Sequence, residues 1–272
     1  MRKPDLSNKT KRLIGIEKVR HVVAVASGKG GVGKTTVAIN LALALKLKGH
    51  SVGLLDADVY GPSIPVMLGL NQAPRVHAGL MEPLDKYGLK VMSIGFMVDE
   101  DQAVIWRGPM VSKAVRELLG RVSWGDLDYL IVDLPPGTGD PSITIAKMLP
   151  EAAVLVVTTP QLVALADVKR AVSMFRKMEK SIIGIVENMA YFCCQHAPDK
   201  IEIFGAGGGE TLSRELGIPL LASLPIDIAL RECGDSGTPF MSCSKNTDTE
   251  KLFSSIADQV VQQLHRSSSE AN

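Results

Sequence analysis

The stretch ASGKGGVGKTT, residues 26–36, has the glycine spacing of two different phosphate-binding turns. As Gly28-x-Gly30-x-x-Gly33 it fits a dinucleotide turn, and as Gly28-x4-Gly33-Lys34-Thr35 it fits a Walker A loop for a nucleoside triphosphate. In either case successive backbone N–H groups and a helix N-terminus bind phosphate, and glycines are needed because side chains would block the approach. Gly28, Gly30, Gly31 and Gly33 meet that need. Lys34 and Thr35 separate the two readings: a lysine placed for the β- and γ-phosphates and a hydroxyl placed for Mg²⁺ are parts a nicotinamide dinucleotide does not require. Asp56 ends a later apolar run, roughly where a dinucleotide fold carries its ribose-binding acid, and keeps that reading open. Asp133 then opens DLPPGTG, 133–139, at the end of another apolar run. A Walker B carboxylate sits at such a strand end, facing the metal, and the stiff then flexible turn after it can switch beside the γ-phosphate. The triphosphate reading leads.

These residues need a scaffold that brings strand ends together. Short apolar, β-branched runs recur at 22–25, 52–55, 129–132, 154–157 and 182–186. Continuous runs of that length are the pattern of strands buried on both faces of a parallel sheet. Between them lie segments of helical period: 37–47; Val111, Val115, Leu118 and Val122; Val168, Val172 and Phe175; and Leu252, Ile256, Val260 and Leu264. Alternating units of this kind predict an α/β fold with a doubly wound, mostly parallel sheet. With no internal repeat or low-complexity linker, residues 21–265 are expected to form a single domain. Residues 1–20 carry seven Lys or Arg against Asp5 and Glu17 and read as a basic arm, and 266–272 as a loose polar tail.

Composition narrows the partners. The chain has 272 residues, 46% hydrophobic and 22% charged, with a formal net charge of +1. Bulk charge therefore gives no pull toward nucleic acid or anionic lipid, and neither is expected as a partner. No apolar run approaches the roughly 20 residues that cross a bilayer, so a cytoplasmic location is expected, with a mitochondrial matrix as the alternative for the basic arm. The four cysteines, Cys193, Cys194, Cys233 and Cys243, are too few and too late in the chain for a disulfide framework.

Lys29 inside the loop is not demanded by generic Walker chemistry. With it the segment reads KGGVGKT and resembles the deviant Walker A of the ParA, MinD and nitrogenase iron protein class. Further stretches narrow the likeness: LLDADVYGPSIP (54–65), WRGPMVSKA (106–114), DYLIVDLPPGTGD (128–140), TTPQLVALADVKRA (158–171), GIVENMAYF (184–192), IFGAGGGE (203–210) and LPID (224–227). Together they resemble the Mrp family of P-loop ATPases, also called the ApbC or Ind type, over roughly residues 20–265.

The resemblance implies a homodimeric ATPase that carries a [4Fe–4S] cluster, exchanging it with a cluster-assembly scaffold and apo iron-sulfur proteins. It makes Gly28, Lys29, Gly30, Gly31, Val32, Gly33, Lys34, Thr35 and Thr36 the ATP phosphate cradle. Thr35 would ligate Mg²⁺ directly, and Asp58 and Asp133 would hold the metal's waters. Asp58 would also orient the attacking water, while Lys29 would reach the other subunit's nucleotide as an arginine finger does. Asn188 would read adenine, and Pro225 with Asp227 would close over the base. In the family a Cys-x-x-Cys pair follows the Asn-Met-x-Tyr-Phe stretch, and two subunits supply four thiolates to one cluster. Here the stretch is NMAYFCCQHAP, 188–198: Cys194 aligns with the first ligand but Ala197 stands at the second. Cys193 or His196 could substitute, and sequence does not say whether Cys233 and Cys243 come near. A ParA- or MinD-like positioning ATPase without a cluster is the alternative.

Overall fold

The apolar runs become strands because four or more consecutive residues without a charged side chain, most of them Val, Ile or Leu, can be covered on both faces only inside a sheet flanked by helices. The computed structural model describes residues 14–97, 108–149, 151–193, 200–243 and 246–270. In chain order the elements begin with β1 (Val19–Ser27), α1 (Lys34–Leu47), β2 (Val52–Asp56), α2 (Ile64–Met67), β3 (Val76–His77), β4 (Leu80–Met81), β5 (Leu84–Lys86) and β6 (Leu89–Ser93). Next come α3 (Gly108–Gly120), β7 (Leu127–Asp133), α4 (Asp140–Met148), β8 (Ala153–Thr158), α5 (Leu162–Lys177) and β9 (Ile182–Cys193). The chain continues through β10 (Lys200–Ile201), α6 (Gly208–Leu216), β11 (Leu220–Ile226), α7 (Ile228–Asp235), α8 (Phe240–Cys243) and α9 (Asp248–Glu270).

The main sheet runs β10-β9-β8-β1-β7-β2-β6-β5, with β11 also paired to β9. All pairings are parallel except β5 with β6 and β10 with β9. This is the expected doubly wound, mostly parallel sheet. Its parallel order places the C-terminal ends of β1, β2, β7 and β9 at one edge, where α/β folds hold ligands.

One face of the sheet is covered by α1, α7, α8 and α9, through Val37, Leu41, Phe240, Phe253 and Val260. The other is covered by α3, α4, α5 and α6, through Val115, Leu118, Ile145, Val168 and Leu212. Ten of the fourteen residues of α1 are buried, because the helix lies between the sheet and α9 and is apolar nearly all round. The helix carrying Lys34 and Thr35 is thereby held rigidly at its base.

The five expected strands are all present, each at least as long as its apolar core. Sequence reading missed β6, β11 and the short edge strands, whose residues include Lys90, Ser93, Ser223 and Pro225 and break the continuous apolar pattern. Two boundaries also move. β1 begins at Val19, inside the expected arm, and α9 runs to Glu270, beyond the expected start of the tail at 266.

Lys180, just after α5, is buried and donates to the Leu149 carbonyl at 2.5 Å. Burial pushes its ammonium group from the usual 10.5 down to about 8. The unfolded chain thus holds this proton to higher pH than the native one, so the group's contribution to stability rises from pH 8 to 10.5 and is lost as pH falls through 8. Urea unfolding across that range is expected to show a smaller rise with pH in Lys180→Met than in the parent.

Candidate functional site

The loop of residues 28–33 leaves β1 at Ser27 and enters α1 at Lys34, the strand-to-helix handover that a phosphate loop needs. Gly31 and Gly33 adopt φ of +79° and +83°, values that a side chain disfavours. Gly28 is required for a different reason: a Cβ there would lie 2.4 Å from the Asp167 backbone carbon, so α5 packs directly against the loop. No side chain caps the N-terminus of α1, which leaves its first N–H groups facing the loop's concave side.

Three separated segments meet at this point. The Lys34 amine donates to Asp133 Oδ1 at 2.6 Å and lies 3.5 Å from Asp58 Oδ2. Thr35 Oγ1 donates to the other Asp133 oxygen, also at 2.6 Å. Lys34 is 6% exposed, Asp58 8% and Asp133 0%, so these contacts act with little water between them. Burial raises the Asp133 carboxyl above its ordinary value, and the neighbouring Lys34 ammonium pulls it back. Ser63, which sequence reading did not single out, places its hydroxyl 3.4 Å from Thr35 Oγ1. No local spacing could have flagged it, because the contact depends on how the loop after β2 folds back.

Asp56 is not a ribose ligand. One of its oxygens accepts from the Asp58 N–H at 3.1 Å, and the other from Ile64 N–H at 3.2 Å and Ser93 Oγ at 3.0 Å. The residue is wholly buried and ties both ends of the loop that carries Asp58 and Ser63. Burial first, and then the charge of Asp133, push its carboxyl up to about 7. The dinucleotide reading thereby loses its acid.

The turn after Asp133 lies against the phosphate loop. Gly137 donates its N–H to the Ser27 carbonyl at 2.9 Å, and Pro136 lies 3.9 Å from the Cβ position of Gly30. Lys29 is half-buried, its carbonyl accepts from Ser27 Oγ, and its amine makes no ion pair with another described residue. Val32 is buried beneath the loop and Thr36 is partly exposed in the first turn of α1.

Asn188 is buried on β9, and its Nδ2 donates to the Val32 carbonyl at 2.9 Å. It thus braces the phosphate loop from below. Pro225 pairs with Tyr191, three residues beyond Asn188 on β9 and about 10 Å along the strand. Asp227 caps α7, accepting from Ala229 N–H at 2.9 Å, and its second oxygen accepts from Thr249 Oγ1 at 2.7 Å. Pro225, Asp227, Tyr191, Cys193 and Lys200 line one cleft of about 770 Å³. Pro225 and Asp227, which the resemblance expects to close over the base, therefore share a cavity with Cys193, the cysteine considered as a substitute cluster ligand.

Cys193 ends β9 and is exposed. Cys194, His196 and Ala197 lie outside the described residues. Among the described residues, no group of three or more His, Cys, Asp or Glu side chains has an arrangement that could hold a metal ion. Also among them, no helix is long and apolar enough to cross a membrane.

Residues 18–261 match the ParA-type family described as NUBPL iron-transfer P-loop NTPase. The chain is 47% identical over 251 residues to a Synechocystis protein named iron-sulfur cluster carrier protein, covering 90% of this chain and 71% of that one. It is also similar to a solved nucleotide-binding protein from Archaeoglobus fulgidus in complex with ADP, with 40% identity and a TM-score of 0.73 over 82% of this chain and 88% of the other. The Pyrococcus furiosus cell division ATPase MinD matches at 23% identity with a TM-score of 0.68, over 90% of this chain and 99% of that one, and shares the fold alone. Kinship thus extends over nearly the whole chain, which belongs to the family of NUBPL iron-transfer P-loop NTPases.

Proposed function

We propose that the chain is a Mg²⁺-dependent ATPase that works as a homodimer and carries a [4Fe–4S] cluster from a scaffold to apo iron-sulfur proteins. The observation that carries this reading is the buried clasp of Lys34, Thr35 and Asp133 at the mouth of the phosphate loop. The donors available there are a hydroxyl and two carboxylates, Thr35, Asp133 and Asp58, an all-oxygen set that fits Mg²⁺. The shared burial of Asp56 and Asp133, which raises both carboxyls, also favours a compensating cation. When bound, Mg²⁺ would neutralise charge on the β- and γ-phosphates.

The protein's own groups do the rest. Loop N–H groups and the α1 N-terminus hold the phosphates, and Lys34 moves from its acids to phosphate oxygens. Asp58 orients the water that attacks the γ-phosphate in line, and Lys29 of a second copy supplies positive charge to the transferring phosphoryl group. Leu162 and Val163, at the start of α5 beside the loop, are 85% and 59% exposed and offer that copy an apolar face. Asn188 and the Pro225–Asp227 segment would bind the base. The relatives' names supply the cargo, and Cys194, aligned with the family's cluster ligand, is the residue proposed to hold it, with Cys193 as the second thiolate.

Anaerobic incubation with iron and sulfide is expected to give a brown parent protein with bound iron and sulfide, and a colourless Cys194→Ala. A colourless parent overturns the cargo reading. ATP turnover that survives a chelator overturns the Mg²⁺ dependence, and a nucleotide-saturated protein that remains monomeric overturns the dimer.

A further inference from the structure

Cys233 and Cys243 have no part in the chemistry above, yet the fold sets them face to face. Cys233 lies on α7 and Cys243 ends α8, and their sulfurs are 3.0 Å apart. A disulfide requires about 2.05 Å, so closure by about 1 Å would bond them. Cys243 is the more exposed of the two. Burial, and then the hydrogen bond to Cys243, push the Cys233 thiol up to about 11, so Cys233 keeps its proton near neutral pH. Cys243, the more exposed sulfur, is the one that an external disulfide reaches first. Among the described residues no third His, Cys, Asp or Glu side chain joins them in a metal-binding group.

What the pair would lock is also visible. The segment around it is fastened at three points: Asp227 caps the start of α7, Tyr87 Oη donates to the Gly237 carbonyl at 3.1 Å, and Met241 N–H donates to Asn40 Oδ1 of α1 at 3.1 Å. Gly237 and Gly69 also meet so closely that a Cβ on Gly237 would lie 2.9 Å from Gly69 Cα. Thus α7 hangs from the Pro225–Asp227 segment, while α8 is attached to the helix that begins at the phosphate loop.

We propose that Cys233 and Cys243 form a reversible dithiol site, oxidised to an internal disulfide by a low-molecular-weight disulfide such as glutathione disulfide, which ties α7 to α8. The Cys243 thiolate attacks one sulfur of the oxidant, forming a mixed disulfide and releasing one thiolate. Cys233 gives up its proton to that leaving thiolate and attacks Cys243 Sγ, expelling the second. Two protein thiols are oxidised and one external disulfide is reduced to two thiols. This chemistry is independent of the ATPase reading.

The test treats the full chain with excess glutathione disulfide without oxygen, alkylates the remaining thiols, and maps the linked peptides by mass spectrometry alongside hydrogen exchange. The expected product joins 233 to 243 with the loss of two hydrogens and is reversed by dithiothreitol. Amides of 228–235 in the oxidised protein should exchange about fivefold more slowly. Cys233→Ser should stop at the mixed disulfide on Cys243, with unchanged exchange. Persistent adducts on a parent Cys243, or linkage of 233 or 243 to 193, 194 or another chain, overturns the site. Internal linkage without slower exchange overturns the lock.

Discussion

Lys34→Ala should lower ATP turnover by at least about a hundredfold, because it removes the cation that each subunit places to follow charge onto its own transferring phosphate. A second effect is expected without nucleotide. Lys34 offsets a carboxylate that is wholly buried, and stranding such a group costs about 3 kcal/mol. Without the ammonium, only the Thr35 hydroxyl still opposes the burial of Asp133 and the carboxyl rises further, since Lys34 is the main influence lowering it. The sign follows: the native variant holds a proton the unfolded chain releases near pH 4, so the variant loses stability as pH rises from that range. Urea unfolding of parent and variant should differ little at pH 5 and more at pH 8. Pairing the measurements separates the catalytic loss from the structural one, because Lys34→Ala with Asp133→Asn should recover stability and not turnover. Full turnover in Lys34→Ala would remove the ATPase reading.

Gly33→Ala should weaken nucleotide binding by about tenfold or more and lower the melting temperature. Two penalties coincide at this position. Its φ of +83° costs an L-residue about 1–2 kcal/mol, and the new methyl would sit 2.1 Å from Asn188 Nδ2. Asn188 can yield only by giving up its bond to the Val32 carbonyl, so the brace under the loop is lost as well. Gly31→Ala is the comparison, since its φ is +79° but nothing lies within 4 Å of the added carbon. The excess loss in Gly33→Ala over Gly31→Ala, read by titration with a fluorescent ATP analogue, measures the contact with Asn188. Equal losses in the two variants would mean that the brace does not matter.

The chain determined by itself whatever depends on neighbours in sequence. Gly28 to Thr36 is a phosphate loop because its glycines, lysine and hydroxyl act within one turn, and the flanking apolar runs state the strand and helix that hold it. The five buried strands were legible for the same reason, as continuous β-branched runs have few other places to go. Strands β6 and β11 were not, because Lys90 or Pro225 within them is tolerated only where a particular neighbour or edge accommodates it. The tertiary structure alone decided pairings across long separations. It joined Lys34 to Asp133, 99 residues away, turned Asp56 from a candidate ribose ligand into the tie of the Asp58 loop, and set Asn188 beneath Val32. It also brought Cys233 onto Cys243, two thiols whose ten-residue spacing says nothing about contact. Local chemistry is written in the order of residues, whereas the partner of a buried charge or thiol depends on which strands and helices lie side by side, and that is set by packing the whole sheet.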